Sequence, residues 1–239
     1  MSMRRDGRTA EDLRPIELTM NVSKNADGSC LVKFGDTHVL CAASIDDSVP
    51  PWRRGKGLGW VTAEYSMLPT AGVGRTRRER TGAKGRTLEI ERLIGRSLRS
   101  IVDLGGLGGE VTVTIDCDVI QADGGTRTAA VTGAYIALAA ALQRWQRAGK
   151  ISSSPLTGQV GAVSVGMVDG EIVLDLDYSE DGRAEVDMNV VMDGTGRFIE
   201  VQGTGEKVSF DRERLNTMLD VAQAGIERIL EIQRAALAE

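Results

Sequence analysis

The residues able to do chemistry in this chain fall in two clusters and one loop. The first cluster is Asp123-Gly124-Gly125-Thr126-Arg127, where an alternating apolar strand gives way to a helix of small residues. Two adjacent glycines let the backbone approach a ligand closely. The first N–H groups of the helix lack partners within it and carry the positive end of its dipole. Thr126 adds a hydroxyl, and Arg127 a planar fork that matches phosphate. Gly125, Thr126 and Arg127 therefore read as anion ligands. Arg86 joins them because it opens a second helix, where an arginine opposes the dipole. Helix stability does not explain that placement, and an anionic partner would. The plainer alternative is an ordinary strand–turn–helix corner, with Thr126 capping and Arg127 in solvent. The stretch is not a Walker A loop and lacks the spaced glycines of a dinucleotide fingerprint.

The second cluster is acidic. Asp175, Asp177, Glu180, Asp181, Glu185 and Asp187 crowd a segment where one strand ends and another begins. Hard divalent cations take such oxygens, and magnesium commonly uses one or two carboxylates plus substrate phosphates. Asp181 and Asp187 are the pair that a turn could bring to one point. A solvated acidic turn is the alternative, and the spacing is not that of an EF-hand.

Residues 69–85 carry Arg75, Arg77, Arg78, Arg80 and Lys84 against a single acid, Glu79. A solvated loop and an oligomer contact are both open readings; the density of arginine fits RNA phosphates best. A second loop, residues 46–57, sets Trp52 beside Arg53, Arg54 and Lys56. That combination suits RNA stacking or, equally, a packed tryptophan in a solvated loop.

The elements that must position these groups follow from periodicity. Alternation predicts strands at 16–22, 28–34, 37–45, 58–68, 111–119, 160–168, 171–178, 186–192 and 198–202. Gly35-Asp36 and Asp169-Gly170 read as hairpin turns. Helical spacing starts at Arg86, runs again over about 126–145, and closes the chain over 209–238 with Ser209 as cap. The Ser/Pro-containing connection at 149–157 is the best boundary between halves.

Composition narrows the chemistry. His38 is the only histidine among 239 residues, which excludes most His-based triads and multi-histidine metal sites. Cys30, Cys41 and Cys117 sit in apolar strands without metal-ligand spacing and read as reduced, buried thiols. No apolar run is long enough to span a bilayer, and the N-terminus has no signal-peptide core, so a cytoplasmic location without membrane partners is expected. Net charge is −5, but residues 1–150 sum to +5 and residues 151–239 to −10. The whole surface is not made for nucleic acid, yet the first part can be locally basic.

Several long stretches, in order, resemble the ribonuclease PH family of bacterial phosphate-dependent exoribonucleases. They are Gly59-Trp-Val-Thr-Ala-Glu-Tyr-Ser-Met-Leu-Pro69, Gly85-Arg-Thr-Leu-Glu-Ile-Glu-Arg-Leu-Ile-Gly-Arg96, Asp116-Cys-Asp-Val-Ile-Gln-Ala-Asp-Gly-Gly-Thr-Arg-Thr128 and Glu185-Val-Asp-Met-Asn-Val190. The resemblance runs from Arg5 to the final helix. It implies an α+β fold: one domain over residues 1–239, with two β-α-β halves (about 1–150 and 151–239) like the second domain of ribosomal protein S5. It also implies a homohexamer, a trimer of dimers. The family's phosphate site carries over to Arg86, Gly125, Thr126 and Arg127, and its catalytic, metal-associated carboxylates to Asp181 and Asp187. Its RNA-holding arginines fall among Arg75, Arg77, Arg78 and Arg80. The implied reaction is phosphorolysis at RNA 3′ ends with Mg2+ as cofactor and inorganic phosphate as co-substrate. The implied substrates are precursor tRNA with 3′ extensions and, further, structured rRNA ends. The alternative is a ring subunit of exosome type that binds RNA without catalysis.

Overall fold

The computed structural model describes residues 4–78, 82 and 85–238. Arg80, an expected RNA contact, lies outside the described residues. β1 (Ile16–Met20), β2 (Gly28–Phe34), β3 (Thr37–Asp46), β4 (Trp60–Met67) and β5 (Thr112–Gln121) form one sheet in the order β1-β2-β3-β5-β4. Only β4 and β5 pair in parallel, joined by helix α1 (Arg86–Arg99), because a parallel pair needs a long crossover. Val113, Ile115, Cys117 and Val119 of β5 are buried while their neighbours are not, as a half-buried strand requires. Cys30, Cys41 and Cys117 stand side by side across β2, β3 and β5 as free, buried thiols. Burial pushes Cys30 up to about 12, so its thiol stays protonated.

Helix α2 (Thr126–Arg147) is buried almost all round, consistent with a small-residue helix packed on several sides. It lies on β2 and β3, and also on β6 (Val160–Val168) of a second sheet. Its alanines and Gly133 allow this approach: a Cβ on Gly133 would come within 2.5 Å of Val32 Cγ1 and 2.8 Å of Cys41 Sγ. The second sheet is wholly antiparallel, ordered β7-β6-β8-β9, with β7 (Glu171–Leu174), β8 (Val186–Asp193) and β9 (Phe198–Gly205). The long α4 (Arg212–Ala238) covers β6 and touches β1. One apolar core runs through both sheets and α1, α2 and α4, and the architecture is α+β. No described helix is long and apolar enough to cross a membrane.

Two local expectations are corrected. The strand expected over 171–178 stops at Leu174, because Asp175 turns the chain at φ +52°. A short helix α3 (Tyr178–Asp181) follows, and Asp177 and Glu180 close it as a reciprocal capping box. The cap of α4 is Asp211, not Ser209: Asp211 Oδ1 accepts from the Arg214 N–H at 2.8 Å. The charged N-terminal segment is tied to the second half of the chain. Arg14 grips the fully buried Asp175 carboxylate through Nε at 3.0 Å and Nη2 at 2.7 Å. Arg4 and Arg8 donate to the Asp175 carbonyl, and Arg4 pairs with Glu180. Thus the acids that looked like one constellation divide, with Asp175, Asp177 and Glu180 holding the backbone in place.

Candidate active site

Of the three acids left over, Asp181 and Asp187, but not Glu185, line a cleft with the helix starts of the first half. A small cleft of about 50 Å³ is lined by Arg86, Gly125, Thr126, Arg127, Asp181 and Asp187, with Ser164, Leu176 and Asn189. Every expected phosphate ligand and both expected catalytic carboxylates therefore meet at one place. Arg75, Arg77 and Arg78 are exposed on the loop after β4 and do not line it. A larger cleft of about 840 Å³ lies under the N-terminal segment. Its Arg8 and Arg14 already pair with Asp6 and Asp175, so size does not make it the better candidate.

The glycine turn works differently from a simple ligand cradle. Gly124 and Gly125 adopt φ +75° and +62°, and Gly125 precedes α2 in the left-handed region. A Cβ on Gly124 would sit 2.6 Å from the Leu176 carbonyl oxygen and 2.9 Å from the Tyr178 nitrogen. The close approach is thus to the chain's own acidic segment, and it presses the two halves of the cleft together. Thr126 does not cap the helix. Its Oγ1 lies 2.9 Å from the hydroxyl of the buried Tyr65 on β4.

Charge is arranged in opposition across the cleft. Arg86 has no ion-pair partner among the described residues. Arg127 Nη1 donates to Glu89 Oε1 at 2.9 Å and to Gln202 Oε1 at 2.6 Å, and Gln202 Nε2 donates to the same Glu89 oxygen at 2.7 Å. The Gln202 hydrogen bond, helped by Arg127 and Arg86, holds the Glu89 carboxyl below its usual range. Burial, then the nearby Asp181 carboxylate, pushes Asp187 up to about 6. Burial also raises Asp181, against the pull of Arg86 and Arg127. Glu206, just past β9, adds to both shifts.

Burial raises both carboxyls, and Asp181 raises Asp187 further; a divalent cation would neutralise such a pair, and their oxygens suit magnesium. Among the described residues there is no group of three or more His, Cys, Asp or Glu that could hold a metal.

Gln202, Asn189, Tyr65 and Glu206 were not singled out in the sequence. A signal existed for two of them. Asp187 pairs with Thr204 and Asn189 with Gln202 across β8 and β9, so alternation from Asp187 marks the polar face of both strands.

A βαβ crossover and an antiparallel sheet jointly set Arg86 and Arg127 against Asp181 and Asp187 in one cleft. The chain belongs to the 3′ exoribonuclease family: residues 12–142 match that family's domain 1 and residues 158–225 its domain 2, the RNase PH domains. Its fold is similar to that of Rrp46 from rice (Oryza sativa), at 24% identity and TM-score 0.78, with 98% of this chain and 100% of that one covered. The Archaeoglobus fulgidus exosome with RNA bound to the active site is similar at 23% identity and TM-score 0.77, covering 95% and 91%. An archaeal exosome core follows at 22% and 0.76, covering 97% and 91%.

Proposed function

We propose that this chain is a phosphorolytic 3′-5′ exoribonuclease of the bacterial ribonuclease PH type. The observation that carries the reading is the cleft itself: Arg86, without an ion-pair partner among the described residues, and Arg127 with Thr126 oppose the raised carboxyls of Asp181 and Asp187. Arg86, Arg127, the Thr126 hydroxyl and the amides after Gly125 hold inorganic phosphate. A phosphate oxygen attacks the phosphorus of the last phosphodiester. The bond to the 3′ oxygen of the penultimate nucleotide breaks, and that oxygen leaves as the hydroxyl of the shortened RNA. The terminal nucleotide departs as a nucleoside 5′-diphosphate. Phosphate is already an anionic nucleophile, so no histidine base is needed; positioning and charge neutralisation carry the rate. Asp181 and Asp187 would hold a magnesium ion, which when bound would supply stabilisation of developing negative charge. The reaction is reversible, so excess nucleoside diphosphate drives nucleotide addition.

The substrates in this reading are 3′ extensions of precursor tRNA and structured rRNA ends, with Arg75, Arg77, Arg78 and Arg80 contacting the RNA backbone. The working unit is a homohexamer, a trimer of dimers, in the cytoplasm, where three buried thiols stay reduced. The RNA in the active site of the Archaeoglobus exosome supports RNA as the substrate class. A second reading, a ring subunit that binds RNA without catalysis, is favoured by the likeness to exosome subunits. The full set of arginines and carboxylates in one cleft weighs against it.

The test is product analysis on a short RNA in magnesium. Nucleoside diphosphates are expected only when inorganic phosphate is added. Monophosphates without phosphate would replace the reading with hydrolysis, and bound but uncut RNA would favour the scaffold.

A further inference from the structure

At the opposite end of α1 from Arg86 lies a second cluster with no role in the cleft. A 3-10 turn, Pro51–Arg53, holds Trp52, which is 57% exposed. Its ring meets that of Trp60, at the start of β4, edge-on at 4.9 Å and 88°. The Arg53 guanidinium lies 4.8 Å from the Trp60 ring centre and 5.8 Å from that of Trp52. Arg99, in the last turn of α1, lies 4.4 Å from Trp60. Hydrogen bonds fix both cations: Arg53 Nε donates to the Gly59 carbonyl at 2.8 Å, and Arg99 Nη1 to the Val61 carbonyl at 2.8 Å. The exposed tryptophan therefore stands on a braced base.

The cations of this cluster lack counter-charges. Among the described residues, no carboxylate pairs with Arg53, Arg54, Lys56 or Arg99, and only Arg96 has one, Glu200. Burial, and then the guanidiniums of Arg96 and Arg53, press Arg99 below its usual range. Packing like charges together without an anion costs stability unless a partner supplies the anion. An exposed aromatic face beside fixed cations matches a nucleic-acid strand, which offers a stacking base and a phosphate at each step. A protein partner would have to bring carboxylates to these cations.

The position suits one RNA strand running from the cleft. Arg92, Arg96 and Arg99 follow Glu89 along one ridge of α1, at spacings of three and four residues. Glu89 is the residue that holds Arg127. From Arg86 to Arg99 the helix rises roughly 20 Å, a distance that a single strand leaving the cleft covers in several nucleotides.

We propose that Trp52, Arg53 and Arg99 form a platform on which a base of the RNA stacks, several nucleotides upstream of the 3′ end held in the cleft. The proposal rests on the cleft being an RNA 3′-end site, and it predicts that only RNA long enough to reach the platform feels it.

The test is equilibrium binding of labelled single-stranded RNAs of about two and about twelve nucleotides, one too short to reach Trp52 from the cleft and one long enough to do so. It is done without phosphate, so that no cleavage is required, on the wild type, Trp52→Ala and Trp52→Phe. Trp52 is exposed, so neither variant endangers the core. Trp52→Ala should weaken the longer RNA by roughly fivefold to a hundredfold, the range for one lost base stack. The shorter RNA should be unaffected, and Trp52→Phe should restore most of the loss. Unchanged affinity for the longer RNA would overturn the platform. So would equal loss for both lengths, which would place Trp52 beside the 3′ end, or a changed oligomeric state with RNA binding intact, which would make the patch a contact between copies. A wild type that releases no nucleoside diphosphate yet binds long RNA through Trp52 would leave the platform standing and remove phosphorolysis alone.

Discussion

Gln202 holds Arg127. The glutamine comes from β9 of the second sheet and the arginine from the first turn of α2, and they meet at 2.6 Å with Glu89 closing the triangle. The guanidinium of the expected phosphate site is therefore aimed by a residue from the other half of the chain. Gln202→Ala should raise the KM for phosphate by about tenfold, the scale of a charge-assisted hydrogen bond in a partly screened site. The kcat at saturating phosphate should change far less. A steady-state phosphate titration checks this, and an unchanged KM would detach Gln202 from the site.

Tyr65 should act through Thr126. With phosphate bound, the Thr126 proton points to the anion, and the Tyr65 hydroxyl at 2.9 Å is placed to donate to Thr126 in turn. Tyr65→Phe keeps the packing and removes that donor. It should raise the KM for phosphate roughly threefold to tenfold while leaving RNA affinity alone. A loss of RNA binding instead would mean that the tyrosine supports the fold around the cleft and not the hydroxyl.

Asp187 gives a pH signature in stability. Its folded value is about 6, above the ordinary 3.8. Between those values the folded chain holds a proton that the unfolded chain releases, so stability falls as pH rises through about 4 to 6 and is flat above. Asp187→Asn removes the buried charge. In metal-free buffer it should stabilise the protein by on the order of 1–3 kcal/mol at pH 7. That gain should vanish below about pH 4, where both forms are neutral. Activity should nonetheless be lost, the trade-off expected when a strained charge serves function. Denaturant melts of both proteins across pH decide it; a variant less stable at pH 7 would contradict the raised carboxyl.

Gly124 ties the cradle to the acidic segment. Gly124→Ala places a Cβ against the backbone of residues 176–178 and forces an L side chain into φ +75°. A loss of about 2–4 kcal/mol in unfolding free energy is expected. Phosphate binding should weaken as the turn moves. Wild-type stability would show that this backbone contact is loose.

Much of this arrangement was readable before folding. Glycines, Thr126 and Arg127 at a strand–helix junction, and Arg86 against a helix dipole, carry their meaning locally, and so do Asp181 and Asp187 as carboxylates near a turn. What could not be read depends on distant partners. Asp175 turns the chain because Arg14, 161 residues away, grips its carboxylate; strand alternation through Leu176 and Tyr178 pointed the other way. The capping box at Asp177 and Glu180 was legible by its spacing, but the strand pattern hid it. Tyr65 and Gln202 looked like ordinary strand residues, and only the pairing of β8 with β9 and of β4 with β5 shows what they touch.

The central claim is that inorganic phosphate is the nucleophile. The direct measurement is digestion of unlabelled RNA in magnesium with radiolabelled inorganic phosphate, followed by separation of the nucleotides. The account predicts label in the terminal phosphoryl group of nucleoside diphosphates, one labelled diphosphate for each nucleotide removed, and none with Arg127→Ala. Shortened RNA with unlabelled monophosphates, at the same rate with or without phosphate, would contradict it.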